Sequence, residues 1–252
     1  MKIKEIVSAL ERFAPLPLQE RYDNAGLQLG LTEAEASGAL LCLDVTEEVI
    51  EEAVDLGCNL IVAHHPLLFR GVKCVADTTQ VERCLRQAIK NDICIYAVHT
   101  NLDNAEDGVN YKMAEKLGLV DVVPLTGGGV LGYLMAEEDS LAFLQRVKDV
   151  FRIECLQHNE LLRRPIQSVA LCGGSGSFVL DTAIAQEADA FLTGEMGYHQ
   201  FFGHEQQIQI GVMGHFQSEQ YTTEIFQQII GECAPQLPLF TTGINTNPIQ
   251  YL

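Results

Sequence analysis

The 252-residue chain has no tryptophan, only 8 prolines, and just 16 Lys and Arg to set against 34 Asp and Glu. The shortage of cations leaves a formal charge of −18. A field of that sign repels phosphodiester backbones and anionic lipid, which argues against extended nucleic acid or a membrane surface as the main partner. A small anionic substrate would instead need a bound cation, such as a divalent metal, or an array of backbone N–H groups to receive it. No stretch approaches the roughly 18 apolar residues of a membrane span. The start, Met1-Lys2-Ile3-Lys4-Glu5-Ile6, lacks the apolar core and small-residue cleavage site of an export signal. Eight cysteines are present but no C-x-x-C pair, so neither a zinc knuckle nor a thioredoxin-type motif is encoded. Several, as in Leu41-Cys42-Leu43 and Ile93-Cys94-Ile95, sit in apolar runs and read as small buried hydrophobes, which predicts free thiols and a cytoplasmic address. What is present, 47% hydrophobic and 20% charged residues, is the composition of a folded globular chain and excludes disorder and collagen-like structure. The length allows one large domain or two compact ones.

The first segment places Ile3, Ile6, Val7, Leu10 and Phe13 at helical spacing and stops at Pro15 and Pro17. Apolar strands are predicted over 39–43, 59–63 and 93–98, separated by helices over about 47–56 and 79–91, with Thr46 as an N-cap. Alternation of this kind predicts an α/β fold, a mostly parallel sheet with helices packed on it. Residues 41–63 recur as 171–193 at a constant offset: Leu41-Cys42 answers Leu171-Cys172, Ala53 answers Ala183, and Asn59-Leu60-Ile61-Val62 answers Asp189-Ala190-Phe191-Leu192. A second correspondence aligns His99 and Asp103 with His215 and Glu219. The expectation is an internal duplication giving two similar α/β lobes, 1–126 and 127–252, divided at the breaker Gly127-Gly128-Gly129.

Four of the seven histidines, His64, His65, His99 and His215, lie at the exits of predicted strands, where open α/β sheets gather their ligand sites. Successive residues of an extended strand face opposite ways, so His64 and His65 need a bend to act together, and Pro66 ends the strand abruptly. They suit two neighbouring metals; alternatively, one ring caps a helix end and the other meets solvent. His215 and Glu219, four apart at the opening of a helix expected to run from Glu219 to Ile230, share a helical face. His99 and Asp103 have the same spacing, though Asn101 and Asp103 would equally suit local turn bonds. Together the imidazoles and carboxylates suit a borderline or hard divalent ion. Glu195 and His199 close the second repeat and are candidates for positions near the site, without being assigned as ligands. Gly173-Gly174-Ser175-Gly176-Ser177-Phe178-Val179 lacks the third glycine of a dinucleotide fingerprint and no Gly-Lys-Ser/Thr follows. It reads as an anion-facing turn or as a tight connection.

With these residues in view, the chain resembles the dinuclear-metal family typified by YbgI, the GTP cyclohydrolase I type 2 homologs, also called NGG-interacting-factor-like proteins. The likeness runs from the first helix to the end. It rests on Asp23-Asn24-Ala25-Gly26-Leu27, His64-His65-Pro66, His99-Thr100-Asn101-Leu102-Asp103, Gly173-Gly174-Ser175-Gly176, Gly214-His215-Phe216-Gln217-Ser218-Glu219 and Asn245-Thr246-Asn247-Pro248. The resemblance implies two divalent ions (Zn, Mn or Fe) held between the lobes by His64, His65, Asp103, His215 and Glu219, with Glu219 shared and His99 near the site. It also implies a homohexamer and metal-assisted hydrolysis of a small, nucleotide-type substrate, in the manner of a purine whose imidazole ring is opened at C8. The alternative is a non-catalytic metal-binding scaffold or adaptor. Tyr22 stands where many relatives carry Trp, and some relatives have a second His near Tyr198-His199. The large domain that longer members insert between their halves is missing here.

Overall fold

The computed structural model describes residues 1–252, which form two units: residues 1–105 with 222–248, and residues 106–221 with 249–252. In the first, α1 (Ile3–Phe13) buries Ile3, Ile6, Ala9 and Leu10 and ends ahead of Pro15. There follow β1 (Gly26–Leu29), β2 (Ala39–Cys42), α2 (Glu47–Asp55), β3 (Leu60–Ala63), α3 (Gln80–Lys90), β4 (Cys94–Ala97) and the single turn α4 (Thr100–Asp103). Thr46 and Thr79 cap α2 and α3, their side chains accepting from Val49 N and Glu82 N, which satisfies orphan donors of the first turn. The strands β2, β3 and β4 are buried at every position, as parallel strands covered on both faces must be.

The second unit carries α5 (Val109–Leu117), β5 (Val120–Pro124), β6 (Val130–Glu138), α6 (Ser140–Val150), β7 (Gln157–His158) and β8 (Ile166–Cys172). It continues through α7 (Leu180–Ala185), β9 (Ala190–Thr193), β10 (Gln209–Val212) and α8 (His215–Glu219). Its sheet runs β5-β6-β8-β9-β10-β7, with β8, β9 and β10 parallel and the remaining pairings antiparallel. Alternate residues of β8 feed two cores: Val169 and Leu171 pack with Phe143 and Leu192, Ala170 and Cys172 with Phe191 and Ile210. The boundary expected at 126/127 falls inside this unit. Gly127, Gly128 and Gly129, all at positive φ, are the turn of the β5–β6 hairpin and join two strands of one sheet.

After α8 the chain returns to the first unit as α9 (Thr222–Cys233) and β11 (Leu239–Thr241). One continuous helix from Glu219 is therefore not formed. Gln220 and Tyr221 intervene, donating to Phe151 O and Val150 O at the end of α6. The first sheet reads β1-β4-β3-β2-β11, parallel except for β1 at its edge. The repeat expected from sequence recurs in register: Ala39 pairs with Leu60 as Val169 pairs with Ala190, and Cys42 with Ala63 as Cys172 with Thr193. Each third strand, β4 or β10, leads within three residues to a histidine that opens or caps a helical turn. The second copy has one extra residue there, Gly214, at φ +96°. All eight cysteines are free, and no helix is long and apolar enough to cross a membrane.

Candidate metal centre

In the first unit the imidazoles of His64, His65 and His99 converge at the carboxyl ends of β3 and β4. Their nearest ring nitrogens lie within 4.8 Å of one another. The backbone of His64 and His65 keeps its ladder bonds, donating to Cys42 O and Leu43 O. The strand nevertheless bends enough to bring the two rings to 4.9 Å between centroids, so the alternation that would separate neighbouring side chains is overcome just before Pro66. His64 is fully buried. Its Nδ1 donates to Val98 O at 2.8 Å, because a carbonyl only accepts, and this bond fixes the ring with Nε2 turned away from the strand. That Nε2 lies 3.6 Å from Asp103 Oδ1.

His65 and His99 are oriented the same way, each by a carboxylate. Asp44 Oδ1 accepts from His65 Nδ1 at 2.7 Å, while its other oxygen accepts from Thr246 Oγ1 at 2.7 Å. Asp23 Oδ1 accepts from His99 Nδ1 at 2.7 Å, and its Oδ2 accepts from the backbone and hydroxyl of Thr100. Burial pushes both carboxyls up, but the histidine bonds, with those from Thr100 and Thr246, outweigh it. Asp44 lies below the usual range and Asp23 falls to about 2, so both are anions at neutral pH. The turn after β4 resolves the open alternative for its polar residues. Asn101 makes the local bond, accepting from His99 N and donating to Ala14 O, whereas Asp103 faces His64.

The second unit presents the other pair. His215 and Glu219 share one face of α8, with Nε2 and Oε2 3.1 Å apart. Glu195 Oε1 accepts from His215 Nδ1 at 3.0 Å, and its Oε2 accepts from Ser175 Oγ at 2.6 Å. The serine bond foremost, then the nearby imidazole, hold the Glu195 carboxyl below its usual value. In the glycine-rich turn Gly173 N donates to Asn110 Oδ1 and Gly174 N to Ser218 Oγ, so these two donors are not available to an anion. Gly174, at φ +55°, is packed so closely that a Cβ there would come 2.3 Å from Glu219 Oε1. A cavity of about 570 Å³ opens beside His215 and Glu195, lined also by Ser175, Met196 and Tyr251. The His199 ring packs against Tyr198 and Phe202.

Each unit thus brings its own expected ligands together, His64, His65 and Asp103 in one and His215 and Glu219 in the other. Of the acids behind the rings, sequence reasoning placed Glu195 near the site but did not assign Asp44 or Asp23 to a histidine. Asp44 carried one usable signal, since it follows β2 at the same sheet end as the histidines. The donor set, imidazole and carboxylate without thiolate, fits borderline or hard divalent ions. Fixing Nδ1 through a carboxylate or carbonyl is how ligating histidines are oriented and made more basic.

Comparison with known proteins places these features in a lineage. The model of the family described as Duf34/NIF3 (NGG1p interacting factor 3) matches residues 1–248. A "GTP cyclohydrolase 1 type 2 homolog" of Clostridium perfringens is 35% identical over 229 residues, covering 87% of each chain. In structure, protein SA1388 of Staphylococcus aureus superposes with a TM-score of 0.92 at 24% identity, covering 100% of this chain and 99% of its own. Protein ybgI superposes with a TM-score of 0.87 at 23% identity, covering 99% and 100%.

Proposed function

The chain belongs to the Duf34/NIF3 family, and from that premise we propose that it is a dinuclear metal-dependent hydrolase acting on a small nucleotide-type substrate. The observation that carries this reading is the shared orientation of the strand-exit imidazoles. His64, His65 and His215 each give Nδ1 to an acceptor, and Asp103 and Glu219 stand beside Nε2 of His64 and His215. These five side chains would hold two divalent ions (Zn, Mn or Fe), with Glu219 shared as the family resemblance implies. Bound there, the ions would supply Lewis acidity and a nucleophile available at neutral pH.

The chain's own residues do the rest. Asp44 and Glu195, both anionic, hold the Nδ1 protons of His65 and His215, and Thr246 and Ser175 hold the carboxylates in turn. Gly174 leaves room for Glu219. The name of the Clostridium relative points to a purine nucleotide, with hydrolytic ring opening as the reaction class. The charge of −18 favours a small anion delivered to a recessed cation over a polymer. A cytoplasmic homohexamer is part of the same proposal, and eight free thiols accord with a reducing compartment.

The test compares chelator-stripped protein with protein reconstituted with Zn, Mn or Fe on a panel of nucleotides and phosphoesters. Turnover is expected only after reconstitution. No turnover with any ion, together with a Glu219→Ala variant altered only in assembly mass, would contradict the enzyme reading and favour a metal-holding scaffold.

A further inference from the structure

The Asp23-Asn24 motif and the loop after His64-His65-Pro66 do more than support imidazoles. They also set two aromatic rings beside them. Tyr22 is 67% and Phe69 46% exposed, large values for aromatic side chains. Their centroids lie 6.3 Å apart at 69°, and Phe69 in turn meets His99 edge-on at 6.1 Å. His99 stands 5.3 Å from His64 and 5.5 Å from His65, so the pair continues outward from the imidazole cluster. A closed set of bonds fixes the two segments to each other. Asn24 Nδ2 donates to Leu68 O at 2.8 Å, Leu68 N donates to Gln28 Oε1 at 3.0 Å, and the buried Gln28 donates back to Asn24 O at 2.7 Å. The rings are therefore presented by braced backbone.

Charge supplies a second, independent observation. In a chain with 16 Lys and Arg in all, Arg21 adjoins Tyr22, Arg70 adjoins Phe69, and Lys73 follows three residues on, all exposed. Two rings at a steep angle form a corner in which a planar heterocycle lies on one face and meets the edge of the other. Guanidinium groups carried by the neighbouring residues of the same two segments match the geometry of a phosphate.

We propose that Tyr22 and Phe69 seat the planar ring of a phosphorylated heteroaromatic substrate, a nucleotide, and that Arg21, Arg70 and Lys73 receive its phosphate. The proposal rests on the imidazole cluster being the reacting centre and deepens that reading by assigning the groups that recognise the substrate. Stacking selects for a ring without selecting strongly among bases, because every base has a π-face. The cations separate a nucleotide from its nucleoside.

Calorimetric titration of the full chain, as purified and after chelation, with GMP, guanosine and ribose 5-phosphate tests this. GMP is expected to bind more tightly than either fragment. Tyr22→Ala and Phe69→Ala should each weaken GMP and guanosine roughly 5- to 150-fold and leave ribose 5-phosphate unchanged. Arg70→Ala should weaken GMP and ribose 5-phosphate but not guanosine. Tyr22→Trp adds a lone tryptophan to a chain that has none, and guanosine should quench it while ribose 5-phosphate does not. Wild-type affinity for GMP in both alanine variants, or no binding of any probe by the wild-type chain, would overturn the proposal. Elemental analysis of the same samples separates the two readings. A wild-type chain that retains no metal even after equilibration with Zn, Mn or Fe, and whose GMP binding still falls on Tyr22→Ala, would refute the metal centre and leave the aromatic corner standing.

Discussion

Asp44 and His65 are 21 positions apart in the chain, Asp23 and His99 76 apart, and each pair meets at 2.7 Å. That separation is why the histidines were legible in the sequence and their partners were not. A histidine at the exit of an apolar strand stands out in a local window, whereas an aspartate in a turn looks like any other turn residue. Gly174 is a similar case: the glycine-rich pattern is visible, but its reason, the approach of Glu219 Oε1, is a contact with a residue 45 positions away. The oriented rings also carry a quantitative expectation. Asp44→Asn keeps the shape and the oxygen facing Thr246 but removes the charge that holds the Nδ1 proton of His65. Divalent-ion affinity should fall about 10- to 100-fold with the fold intact, measured by competition with a chelating dye and by circular dichroism. Unchanged affinity would mean that Asp44 does not support a ligand.

At the scale of elements, β2, β3 and β4 were the most legible because continuous four-residue apolar runs bounded by turns leave few alternatives to a covered parallel strand. The helix expected to continue from Glu219 divides because Gln220 and Tyr221 bond to the end of α6, a tertiary contact that no periodicity announces. The edge strand β5, exposed at four of five positions, and β11, with three residues, lack a pattern of their own. One inter-element bond invites measurement. Tyr96 of β4, buried, donates its hydroxyl to Glu11 of α1 at 2.7 Å. Burial first, then that carboxylate, push the phenol above its ordinary value. A raised acid favours the fold fully below the unfolded pKa of about 10, and that contribution is lost as pH climbs above it. Tyr96→Phe should therefore cost about 1 kcal/mol near pH 8, and the gap to wild type should narrow in denaturant titrations above pH 10. A gap that widens with pH would contradict the assignment.

For the molecule as a whole, the α/β class, the parallel strands and the repeated strand-helix-strand register could be read from sequence, since they rest on local periodicity and on one constant offset. The division of the chain could not. Gly127-Gly128-Gly129 is a strong breaker, but a breaker marks a turn, and here the turn lies within one sheet while α9 and β11 return to the other unit. Net charge belongs to this scale too. Carboxylates outnumber cations by about two to one, so divalent ions that bind the native fold alone should stabilise it, by about 2.7 kcal/mol at a free concentration of 100 Kd. The central claim is that His64, His65, Asp103, His215 and Glu219 hold two such ions. The most direct test is the number of divalent ions per chain, by elemental analysis after equilibration with Zn, Mn or Fe and removal of excess, in wild type and in His65→Ala and His215→Ala. Two ions per wild-type chain and fewer in both folded variants is the predicted result; a wild-type chain that retains none, or variants that retain as many, would contradict it.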